Sequence, residues 1–151
     1  MYTKQEESKH KQAFWTTFGQ YMQPALSADG VKTNWINYKT GIAGIHFKMD
    51  AGNRQASIAI VLSHSDPNVR QFHYDQFLLL RTMLHDTLGE VWRWQPNAEN
   101  EYGKIQGIIS RELPNININR TEDWPLLISF FKPRIMALDA FWSNTKYGFE
   151  P

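Results

Sequence analysis

His10, His46, His64, His73 and His85 are the side chains here best suited to proton transfer or metal ligation near neutral pH. Their spacing argues against a metal. His73 and His85 fall in one predicted helix but too far apart to share a turn. No His-Glu-x-x-His or carboxylate cage accompanies them. The chain has no Cys, so disulfides, thiolate-bound zinc and thiol nucleophiles are excluded. No Gly-x-Ser-x-Gly is present to seat a hydrolase serine. Gly41-Ile42-Ala43-Gly44 has too few glycines to cradle a phosphate. No metal and no cofactor is expected. The chemistry left is that of contact: His46, Lys48, Arg93, Lys104 and Gln106 offer charge and hydrogen bonds on predicted strands.

The element that must position them is a hairpin between Gly41 and Ser63. Ile45, Phe47 and Met49 alternate with Gly44, His46, Lys48 and Asp50. Ala56, Ile58, Ile60 and Leu62 alternate with Ser57, Ala59, Val61 and Ser63. Two period-2 runs joined through Gly52-Asn53 predict two antiparallel strands. A second hairpin is expected from Glu90–Gln95, with Trp92 and Trp94 on one face, and Lys104–Leu113. A polar loop over 96–101 separates them. Ile108 and Ile109 point opposite ways, so the inner face of that last strand is ambiguous.

Helices supply the cover. Phe14, Phe18, Tyr21, Met22 and Leu26 recur at helical spacing over Lys4–Leu26, and Pro24 ends or bends that helix. Asp66-Pro67 is a helix start, a capping side chain followed by a residue suited to the first turn. Val69, Phe72, Gln76, Leu79, Leu80, Met83 and Leu84 form a stripe running to Leu88, and Gly89 stops it. Trp124, Leu127, Phe131, Ile135, Leu138, Phe141 and Trp142 form the last stripe, which Pro133 should kink or split. Trp35–Tyr38 reads as a short strand or an extended link, and 115–119 as a loop. The order helix, hairpin, helix, hairpin, helix defines an α+β fold: a four-stranded, mainly antiparallel sheet with helices on one face.

At 151 residues the chain is read as one domain over 1–151. Six Trp, six Tyr and nine Phe suit a well-packed core with rings to spare. A formal net charge of +1 provides no strong field toward nucleic acid or anionic membrane. The N-terminus is polar, and no apolar run is long enough to span a bilayer. A cytoplasmic protein without membrane contact is expected.

If Ile45, Phe47, Met49, Ile58, Ile60, Leu62, Trp92 and Trp94 face the helices, the reverse face carries His46, Lys48, Ser57, Ala59, Val61, Ser63, Val91, Arg93, Lys104 and Gln106. That surface is mildly basic with an apolar middle. It fits a non-enzymatic accessory module that contacts a protein partner or a second copy of itself. Nucleic acid, held by Lys48, Arg93 and Lys104, is the alternative. An ordinary solvated sheet face is the plain one.

Were Trp35–Tyr38 a strand, the order would resemble the restriction-endonuclease-like core. That resemblance implies a Mg²⁺ site with an Asp on one hairpin strand and Glu-x-Lys on the next. Asp50 mimics the first, and Glu90 is the other acid at hand. The second position falls near Ser57-Ile58-Ala59, where no acid stands. Phosphodiester cleavage needs carboxylate oxygens to bring the metal to the phosphate, so an inactive relative fits better than a nuclease.

Phe14-Trp15, Phe18, Trp35, Gly44-Ile45-His46-Phe47, Ala56 to Leu62, Leu88 to Trp94, Lys104-Ile105, Trp124 and the final helix together resemble the bacterial domain-of-unknown-function 4268 family. The likeness covers nearly the whole chain and rests on packing motifs. Members are often fused behind predicted nuclease-like domains, which implies a DNA-restriction setting. His85 stands where members often carry Glu. The resemblance brings no catalytic residues with it.

Overall fold

The structure, a computed structural model, describes residues 2–150. Helix α1 spans Lys4–Met22. Thr3 and Glu6 close a reciprocal cap: the Thr3 hydroxyl accepts from the Glu6 amide at 3.1 Å, and Glu6 Oε1 accepts from the Thr3 amide at 3.2 Å. The helix stops at Met22, short of the expected Leu26: Gln23 keeps helical angles (φ −53°, ψ −40°), but Pro24 has no amide with which to continue the ladder.

Strands β1 (Ile45–Ala51) and β2 (Gln55–Leu62) form the predicted hairpin, in a register pairing Phe47 with Ile60 and Lys48 with Ala59. Two helices follow, not one: α2 (Pro67–Leu79) and α3 (Arg81–Leu88). Leu80 breaks them, with φ −100° and ψ 13°. Its amide is shared between the carbonyls of Gln76 and Phe77. The buried stripe also differs from the expected one. His73, Tyr74, Phe77 and Leu84 point inward, whereas Leu79 and Met83 are exposed. The spacing is still helical, but the buried face includes a histidine that a search for apolar residues passes over. Asp66 caps the Asn68 amide, and Gly89 ends α3 with φ 72°.

Strand β3 runs Arg93–Glu99 and β4 runs Ile105–Pro114. The expected loop at 96–99 is therefore strand, with Pro96 and Asn97 accommodated as a bulge between Gln95 and Ala98. Trp92 precedes the strand and is buried. Trp35–Tyr38 is a link of turns, not a strand. Helix α4 spans Trp124–Thr145 without a split at Pro133. Pro133 is exposed, and so is Ser129, whose carbonyl lacks its helical donor but lies on the solvent side of the helix.

The sheet order is β1-β2-β4-β3, antiparallel throughout. The two hairpins thus meet through β2 and β4, and the handedness rule for parallel crossovers has nothing to act on. Phe14, Phe18, Phe131, Leu138 and Trp142 from α1 and α4 pack with Phe47, Ile58, Ile60 and Ile109 of the sheet. Ile116 and Ile118 complete the core from the loop, their amides donating to the carbonyls of Arg54 and Gly52. The sheet edges are blunted at β3 and at the two ends of β1. On β1, Ile45 is satisfied by Ile42 and Thr40, and Ala51 is fully buried. On β3, Pro96 removes a donor.

Candidate binding face

Register sorts the reverse face into rows running across the strands. Lys48, Ala59, Ser110 and Arg93 form one row. Its two exposed cations stand on opposite edges, about 14 Å apart at a strand spacing of about 4.8 Å. Small residues occupy the middle. The next row is His46, Val61, Ile108 and Gln95, with an apolar centre. The row on the other side is Asp50, Ser57 and Glu112, with two exposed carboxylates. Val61 and Ser110 are buried at 6% and 8% exposure even here.

His46 and Lys48 are exposed on β1, and Arg93 is exposed on β3. Partial burial of the His46 ring, and then the Lys48 charge, lower its proton affinity below the ordinary histidine range. Gln106 lies on β4 beside Ala98, and Lys104 just ahead of that strand. These last two also line a cavity of about 370 Å³ with Ser63, His64, Ser65 and Arg70. His46 and Lys48 instead border a larger cleft of about 520 Å³ against Trp15, Ile36 and Tyr38. The five predicted residues therefore share one side of the sheet but not one pocket. Ser110, Ile108, Gln95 and Glu112 belong to the same face. The doubtful inner side of the last strand had hidden Ser110, Ile108 and Glu112, and the pairing of Ile109 with Ile60 resolves it.

The two acids of the nuclease comparison do not meet. Asp50 is on β1, and Glu90 precedes β3 at the far edge. The Glu90 carboxylate accepts from Arg134, at 2.7 and 2.9 Å, and from the Trp92 indole at 2.8 Å. Burial opposes its charge, but the hydrogen bonds from Arg134 and Trp92, then the charges of Arg134 and Arg111, hold the carboxyl below the usual range. Glu90 is a structural clamp. Among the described residues no group of three or more His, Cys, Asp or Glu is placed to hold a metal ion. None of the described helices is long and apolar enough to cross a membrane.

Fold and face together define an α+β protein whose helices cover one side of an antiparallel sheet and leave the other open. The chain belongs to the family described as Domain of unknown function (DUF4268), whose pattern it matches over residues 10–146. No curated protein and no solved structure is similar to it.

Proposed function

We propose that this chain is a non-enzymatic accessory module that docks a protein surface, a partner's or a second copy's, on its open sheet face. The observation that carries the reading is the Lys48–Ala59–Ser110–Arg93 row: two cations framing a shallow floor of small side chains. An acidic row lies on one side and an apolar row on the other. Alternating rows of acid, base and oil complement a protein better than a uniformly anionic polymer. Asp50 and Glu112 would repel the phosphates that Lys48 and Arg93 attract, which places nucleic acid second.

Ala59→Arg would fill the floor without touching the core. The expected result is an oligomer or a co-purifying protein with the natural chain, lost in the Ala59→Arg variant. A natural chain that stays monomeric and partnerless in dilute solution, or a complex indifferent to Ala59→Arg, sinks the reading. A shift of labelled DNA or RNA at low salt that fades steeply with added salt would favour nucleic acid instead.

A further inference from the structure

The β2–β4 ladder ends at Leu62 and Gly107. Just beyond it, the polar residues Ser63, His64, Ser65, Arg70, Lys104 and Gln106, with Ile105, line the cavity of about 370 Å³. Every one of these polar side chains can donate a hydrogen bond, and none is a carboxylate. His64 shows this most clearly. Its Nδ1 accepts from the Asp66 amide at 3.0 Å, so the neutral ring carries its proton on Nε2. Arg70 Nη1 donates to the His64 carbonyl at 3.1 Å. That anchor fixes the guanidinium and leaves its other N–H groups free to form a planar fork.

The three ion pairs among the described residues involve neither Arg70 nor Lys104. Asp66, the acid nearest Arg70 in sequence, caps the Asn68 amide at 2.9 Å, and neither it nor Glu101, the acid nearest Lys104, lines the cavity. The start of α2 is thus occupied by its own side chain, and the helix end is not needed for the argument. Two cations outside those ion pairs, two hydroxyls and a half-buried floor are the complement of a tetrahedral oxyanion.

We propose that this cavity binds a phosphate group, as the free ion or as a monoester. The proposal joins the β2–α2 connection to Lys104 and Gln106 at one end of the sheet face, and its test with small anions is separate from the test of what docks on that face.

Calorimetric titration of the full chain with sodium phosphate, and separately with O-phosphoserine, at constant ionic strength tests it. Saturable binding is expected, weakened about tenfold or more in Arg70→Ala/Lys104→Gln. Lys104→Gln alone, at an exposed position, should fold normally and lose part of the affinity. Arg70→Lys should fall between, since it keeps the charge but not the fork. Tighter binding of O-phosphoserine would assign the site to a phosphate carried on a larger molecule, and equal binding to the free ion; both support the pocket. No saturable binding of either probe up to about 10 mM, or binding unchanged by Lys104→Gln and by the double variant, overturns the proposal.

Discussion

Arg134 grips Glu90 at two points, Nη2 to Oε1 at 2.7 Å and Nε to Oε2 at 2.9 Å. The pair ties the α3–β3 turn to the middle of α4, and Arg134 also lies over the Phe130 ring at 4.4 Å. Both side chains are about one-fifth exposed, so the bond is partly shielded from water. Arg134→Ala strands the carboxylate and should cost about 2 kcal/mol in urea unfolding. Because folding lowers the Glu90 pKa, its contribution is present above the ordinary value of 4.5 and lost as pH falls through the folded one. Glu90→Gln should flatten the acid limb of stability against pH.

His73 titrates in the same direction, although its favoured form is neutral where that of Glu90 is charged. It is 1% exposed, and neither ring nitrogen makes a hydrogen bond of good geometry, the Phe149 backbone being the near neighbour that comes short of one. Burial, then the neighbouring His64, lower its proton affinity, and the Phe149 backbone offsets them only in part. The neutral ring is the folded form, so stability is complete above the ordinary value of 6.5 and declines as pH falls below it. His73→Phe keeps the ring volume and removes two unpaired polar atoms. It should raise stability by about 1 kcal/mol at neutral pH and reduce the loss between pH 7 and 5, as read by denaturation midpoints.

Asp139 is buried on α4 and holds the 23–44 connection in place. Its two oxygens accept from the Tyr38 hydroxyl at 2.5 Å and the Ala28 amide at 2.7 Å. Asn at this position keeps the shape but supplies one acceptor where two are used. Asp139→Asn should therefore cost about 2 kcal/mol, and Tyr38→Phe about 1 kcal/mol, in thermal or urea unfolding. Burial and then the Asp139 hydrogen bond push the Tyr38 phenol far above its usual range. In an alkaline absorbance titration it should resist ionisation until the chain unfolds.

Two glycines offer a paired test of strain against crowding. Gly89 has φ +72° with open space where a Cβ would lie, so Gly89→Ala should cost about 1 kcal/mol from backbone conformation alone. Gly44 has φ +86°, and a Cβ there would meet the His64 Cβ at 2.6 Å and its Cα at 2.8 Å. Gly44→Ala should cost clearly more, about 3 kcal/mol. Equal midpoints for the two variants would contradict this account.

Local signals were readable in the residues. The alternation over 45–62 fixes β1 and β2 and their faces, because a one-residue slip would expose every apolar side chain. Asp66-Pro67 and Gly89 mark their helix ends through cap chemistry that needs no tertiary partner. The misses have a common cause in distance. Asp139 gains its partners 101 and 111 residues away. The break at Leu80 and the inward His73 depend on what α2 packs against. Strand β3 continues past Pro96 because β4 supplies the pairing that local propensity opposes. The placement of His46, Lys48 and Arg93 on one face follows from strand period alone. The grouping of Arg70 and His64 with Lys104 required the path of the chain from β2 into α2.

The interruption at Pro96-Asn97 reaches beyond a single molecule. An edge that lacks an amide and is kinked out of register is a poor template for another chain laid lengthwise. Endless strand-by-strand growth needs both edges of the sheet, so any lengthwise pairing between copies should stop at a closed pair across β1.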